Sequence, residues 1–128
     1  MKLILDASSL YITLKRGDVK ALENSETLDL AFYEVGNSML KELRRKLITM
    51  ESFAKALNVL AVMSQTMGVR RFGEIDARQV ADVAKSTGLT FYDAAYLTLA
   101  LMMNETLATD DKELSNEARK LGVRTIQA

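Results

Sequence analysis

The chain has 128 residues, with 17 basic and 17 acidic side chains and neither cysteine nor histidine. One domain of that length buries about two thirds of its unfolded surface, and a hydrophobic content of 48% excludes disorder. Zero formal net charge excludes a surface that is basic all over, and the two missing residue types exclude disulfides, thiolate zinc sites and imidazole-based triads, leaving carboxylates, Lys, Arg, hydroxyls or an oxygen-held metal for any chemistry.

The predicted elements alternate between strands and helices. Residues 2–5 form an apolar run that directly follows Met1 and stops at Asp6, the pattern of a buried strand. A short helix is expected over 8–14 and a second strand over 26–30. Residues 31–46 read as a helix, because Phe32, Val35, Met39 and Leu43 recur at helical spacing. Thr49 is placed to cap a further helix that runs to Thr66, with Phe53, Leu57, Leu60 and Met67 on one stripe and Gly68 as its C-terminal glycine. Residues 69–75 suggest a strand. Asp76 with Gln79 and Thr90 with Asp93 each have capping-box spacing, opening helices that reach Ser86 and Asn104. A strand over 106–109, a helix over 112–121 ended by Gly122 and a last strand over 123–126 complete the chain.

This rhythm predicts an α/β domain over 1–128, a parallel sheet between two helical layers. No charged leader with an apolar core precedes the first strand. The longest apolar stretch, 94–103, is too short and too interrupted to span a bilayer. A soluble cytoplasmic protein is the expectation.

Open parallel sheets bind ligands beyond the carboxyl ends of their strands. Asp6 follows the first strand, and Asp110 and Asp111 follow the strand around Leu107. Asp93 opens a helix at the same edge, and Glu34 is expected in the first turn of the helix after the second strand. Each has a plainer role: Asp6 as a cap, Asp93 as the third residue of a capping box, Asp110 or Asp111 as the cap of the last helix, Glu34 as a solvated helix residue. Together they carry more weight, since Asp6 and Asp93 sit in apolar contexts and gathered carboxylates repel unless a cation joins them. Oxygen donors without His or Cys favour Mg²⁺ or Mn²⁺.

Four segments resemble the PIN-domain family. LILDASSL is similar to its opening strand, which ends in Asp, and AFYEVGNSMLKEL to its Glu-bearing helix. LTFYDAAYLTLA is similar to its Tyr-Asp-Ala helix start, and LATDDKEL to its Thr-any-Asp segment. All four come in the family's order and span essentially the whole chain. The resemblance implies a three-layer αβα fold with Asp6, Glu34, Asp93 and Asp111 as catalytic, metal-binding acids. The frame from Thr109 to Leu114 selects Asp111 over Asp110. Ser8 and Thr109 match hydroxyls that orient such acids, and Asn37, one turn beyond Glu34, is expected to support them. The length resembles the VapC-like group, which implies a Mg²⁺- or Mn²⁺-dependent endoribonuclease. It further implies the toxin of a toxin–antitoxin pair, an RNA substrate, a cognate antitoxin and a two-fold homodimer with two acidic sites along one groove.

Phosphate contacts are expected from the basic cluster Lys41, Arg44, Arg45 and Lys46, Arg44 and Arg45 foremost, with Arg70 and Arg71 or Lys15 and Arg16 as further candidates. A solvated face explains the same residues. Tyr11, Tyr33, Tyr92 and Tyr96 form no recognisable stacking motif and are assigned to packing. The rival readings are a non-catalytic PIN scaffold for RNA or protein and a receiver-like signalling domain. The second lacks the acidic pair after the first strand and an acceptor Asp in mid-chain. A dehalogenase-type phosphatase would need a second Asp in the segment DASS.

Overall fold

The computed structural model describes residues 2–128, so Met1 lies outside the described residues. Five strands are present: β1 (Leu3–Leu5), β2 (Ser25–Leu28), β3 (Gly68–Arg70), β4 (Thr106–Ala108) and β5 (Thr125–Ile126). They form one sheet in the order β3-β2-β1-β4-β5, and all four pairings are parallel. Among the described residues the helices are α1 (Ala7–Arg16), α2 (Val19–Glu23), α3 (Leu30–Arg44), α4 (Met50–Thr66), α5 (Ala77–Thr87), α6 (Phe91–Met103) and α7 (Lys112–Lys120), with a 3₁₀ turn over Phe72–Glu74. They flank the sheet as the expected three-layer αβα arrangement.

Local chemistry sets most boundaries. Thr49 accepts the N–H of Ser52 at 3.1 Å and Asp76 that of Gln79 at 3.1 Å, satisfying donors that a helix start leaves unpaired. Gly17, Gly88 and Gly122 close α1, α5 and α7 at φ between 67° and 81°, where a side chain would be strained. α6 is apolar on every side because it is buried inside the domain. Ala94 to Ala100 are all buried, so its apolarity is no sign of a subunit interface.

Four expectations need correction. Gly68 does not terminate α4: Met67 does, in extended conformation, and Gly68 begins β3. A Cβ at Gly68 would stand 2.6 Å from Glu26 Cγ, so the glycine makes room for a buried acid. That acid pairs with Arg70 at 3.1 Å. The strand expected over 69–75 ends at Arg70 and gives way to the 3₁₀ turn. α2 was not anticipated. Finally, the Asp29 side chain accepts the Leu30 N–H at 2.8 Å and starts α3 at Leu30, which moves Glu34 from the first turn into the second.

Candidate active site

The sheet order reverses at β1: the chain winds outward through β2 and β3, then returns to place β4 and β5 on the other side. The crevice beyond the carboxyl ends of β1 and β4 is therefore the switch point where such sheets bind ligands. Asp6 leaves β1 directly into it, 6% exposed. Its Oδ1 accepts the Ser9 N–H at 2.9 Å and the Ser8 hydroxyl at 2.8 Å, while its Oδ2 accepts the hydroxyl of Thr109, just past β4. Thr109 Oγ1 in turn accepts the Asp111 N–H at 3.0 Å. These bonds fix the Asp6 carboxylate and join the ends of the two central strands. Ser8 and Thr109 thus both donate to the Asp6 carboxylate.

The two adjacent aspartates have different jobs. Asp111 is the cap of α7, accepting the Leu114 N–H at 3.0 Å. Asp110 is not a cap. Its N–H donates to Ser8 Oγ at 3.4 Å, and its Oδ1 is buried without a hydrogen-bond partner among the described residues.

Glu34 comes to the edge from α3, where the Tyr96 hydroxyl donates to its Oε1 at 2.7 Å. Tyr96 is fully buried, and burial first, then the bond to Glu34, holds its pKa far above the usual phenol range. Sequence reasoning gave Tyr96 to packing. The available signal was its position three residues after Asp93, on the same face of α6. Asp93 itself uses only half of its capping box: its N–H donates to Thr90 Oγ1 at 3.1 Å, and no hydrogen bond reaches its carboxylate among the described residues.

Burial pushes the Asp93 pKa up to about 6, and the nearby charges of Asp111, Asp6, Glu34 and Glu113 add to the effect. The four predicted acids are therefore electrostatic neighbours. None of them is in an ion pair among the described residues. Partial compensation comes from the N-terminal ends of α1, α6 and α7, where Asp6, Asp93 and Asp111 stand. The acids do not form a closed cage, since among the described residues no three of them stand in metal-holding geometry. The donor set nevertheless fits a hard divalent cation: it is all oxygen, negatively charged and lacks a protein cation.

A polar groove runs from this edge between α1 and α3, lined by Ser8 and Asp110 at the acidic end and by Lys15 and Lys41 further out. Asn37 lines it beside Glu34 but is bonded to none of the four acids among the described residues. Arg44 and Arg45 stand at the far end of α3 and do not line it. Arg70 is paired with Glu26 and Arg71 with Glu74; the cations that line this groove are Lys15 and Lys41. On the other side of the acids lies an apolar groove rimmed by Tyr33, Phe72, Phe91 and Tyr92. Tyr33 and Phe72 are 80% and 67% exposed, so these aromatics are not core. Among the described residues no helix is long and apolar enough to cross a membrane.

No protein-family model matches the chain. It is 33% identical over 125 residues to Ribonuclease VapC3 of Pyrobaculum aerophilum, covering 91% of this chain and 95% of that protein. It is 34% identical over 113 residues to Exonuclease VapC9 of the same organism, covering 87% and 81%. The crystal structure of PAE2754 from Pyrobaculum aerophilum superposes with a TM-score of 0.77 at 32% identity, covering 98% of this chain and 92% of that one. VapBC-1 from nontypeable Haemophilus influenzae shares the fold at 13% identity, with a TM-score of 0.62 over 99% and 98% of the two chains. Identity of one residue in three along nearly the full length of both partners, on the same parallel sheet, shows that the chain belongs to the VapC-like family of PIN-domain proteins.

Proposed function

We propose that the protein is a divalent-metal-dependent endoribonuclease, the toxin of a VapBC-type pair, acting through Asp6, Glu34, Asp93 and Asp111. The observation that carries this reading is the joining of Asp6 and Asp111 through Thr109 at the switch point of the sheet, in a chain similar along its length to a protein named as a ribonuclease. Mg²⁺ or Mn²⁺, when bound by these carboxylates, supplies a water of lowered pKa and neutralises charge at the attacked phosphate. The protein's own part is positional. Ser8, Ser9 and Thr109 hold Asp6 in one orientation, and Tyr96 does the same for Glu34. Asp93, with a free carboxylate, or Glu34 orients the attacking water for in-line displacement. The partners are RNA and a cognate antitoxin protein.

We also propose a two-fold homodimer. An arrangement that sets two acidic sites along one groove needs an interface beside the acids. The apolar groove of Tyr33, Phe72, Phe91 and Tyr92 meets that need, because Tyr33 and Tyr92 immediately precede Glu34 and Asp93 in sequence.

The test is cleavage of a panel of RNAs that includes tRNA and rRNA. Products that form with Mg²⁺ or Mn²⁺ and are abolished by EDTA support the reading. An intact panel under every metal condition overturns it in favour of a non-catalytic scaffold.

A further inference from the structure

A chain of zero net charge with four or more acids at its edge presents a problem for a polyanionic substrate. Phosphate repels phosphate-like charge, and single-stranded nucleic acid is ordinarily held by a basic groove that follows its backbone. The structure has a local solution. The polar groove between α1 and α3 carries Lys15 and Lys41. A second polar groove lies between α7 and the end of β5 and carries Lys112 and Arg119. Asp110 lines both, so the two grooves adjoin at this acid just past the carboxyl end of β4, with Glu34, Lys15 and Lys41 along one and Lys112 and Arg119 along the other.

The cations are placed for this. Lys15 follows Ser8 by seven residues on α1, and Lys41 follows Glu34 by seven on α3. At a rise of about 1.5 Å per residue Lys15 stands about 10 Å along α1 from Ser8, and Lys41 about 10 Å along α3 from Glu34. That is within reach of a phosphate close to the one being cut. Lys15 is held there: its Nζ sits 4.0 Å from the centre of the Tyr11 ring and 3.7 Å from Glu42. Lys41 and Lys112 make no ion pair among the described residues, and both are exposed. Arg119 makes no carboxylate pair either; its guanidinium donates to the side chain of Asn116.

We infer that the RNA strand lies along the two grooves as one trough, its backbone held by Lys15 and Lys41 in one and by Lys112 and Arg119 in the other. The inference rests on the ribonuclease reading for the identity of the strand. Its test is binding of a fluorescein-labelled single-stranded RNA of mixed sequence, followed by anisotropy across a salt series in Ca²⁺ buffer, with the RNA checked for integrity on a gel. Lys15→Gln with Lys41→Gln, and separately Lys112→Gln with Arg119→Gln, should each flatten the plot of log affinity against log salt by about 0.7 per cation removed. Lys55→Gln with Lys85→Gln, which line neither groove, should leave the slope unchanged. Lys15→Arg, which keeps the charge, should behave as the unmodified protein and so separates loss of charge from loosening of α1. Slopes that match the control for either pair overturn the through-going path, as does an unmodified protein that binds no RNA. Cleavage of RNA with unaltered slopes refutes the trough alone. Slopes that fall as expected, with no cleavage under any metal, refute the nuclease reading and leave the trough standing.

Discussion

Tyr96 on α6 and Glu34 on α3, 62 residues apart in sequence, are joined by a hydrogen bond of 2.7 Å. A fully buried phenol is thereby committed to orienting one acid at the sheet's ligand-binding edge. Groups that orient metal ligands commonly affect affinity or activity 10- to 100-fold. Tyr96→Phe keeps the ring in the core and removes only the donor. It should cost about 1 kcal/mol of stability and lower RNA cleavage roughly tenfold or more, with the fold unchanged by circular dichroism. Thermal melts and initial rates at saturating Mn²⁺ check both parts; full activity would remove Tyr96 from the site.

A second prediction concerns pH in the metal-free protein. Asp93 binds its proton more tightly folded than unfolded, because burial and then the charges of Asp111, Asp6 and Glu34 oppose its ionisation and raise its pKa to about 6. Its penalty on the fold is therefore absent below the unfolded carboxylate range near 4, grows through the interval up to 6, and is complete above it. Acidification from pH 7 toward 5 in EDTA should raise the contribution of this group to Tm. Asp93→Asn should be more stable than the parent at pH 7 and lose that advantage by pH 4. Parallel melting curves for the two proteins across this range would contradict the assignment.

The adjacent aspartates provide a third. Asn caps helices about as well as Asp, so Asp111→Asn keeps the bond to the Leu114 N–H while it removes a charge from the acid group. It should retain stability to within about 0.5 kcal/mol and lose most RNA cleavage. Asp110→Asn should keep most of both. The reverse pattern, read from cleavage gels and melts, would place the fourth acid one residue earlier.

Much of this site was legible from the sequence, for a physical reason. The caps at Thr49, Asp76 and Thr90 and the glycines at 88 and 122 are local signals, and they located the helix ends that set the edge. Ser8 and Thr109 could be named as supports of an acid because they match hydroxyl positions in the family that the segments LILDASSL and LATDDKEL resemble. Features that depend on tertiary packing were not legible. Gly68 looks like a helix terminator until Glu26 on the neighbouring strand is seen to need its space. The apolar run of α6 shows no single stripe because Ala94 to Ala100 are all buried within the domain. α2 spans only five residues, too few for a periodic pattern to emerge. The exposure of Tyr33 and Phe72 cannot be read from hydrophobicity, which points the opposite way.

The proposed dimer gives a fourth prediction. Large exposed apolar patches on a soluble domain mark interaction surfaces, and the aromatic groove is such a patch. Light scattering at micromolar concentration should report twice the chain mass of 14.2 kDa. Phe72→Glu should shift the protein to the monomer with its secondary structure unchanged by circular dichroism and its Tm no longer dependent on protein concentration. A monomeric parent protein, or a Phe72→Glu variant that remains dimeric, would contradict this placement.

Asp6, Glu34, Asp93 and Asp111 are proposed to hold a divalent cation together. Calorimetric titration of Mn²⁺ into metal-free protein tests this without dependence on a substrate. Saturable binding is expected in the parent chain, weakened in Asp6→Asn and in Asp93→Asn while both variants remain folded. Unchanged Mn²⁺ affinity in both variants would contradict the proposal.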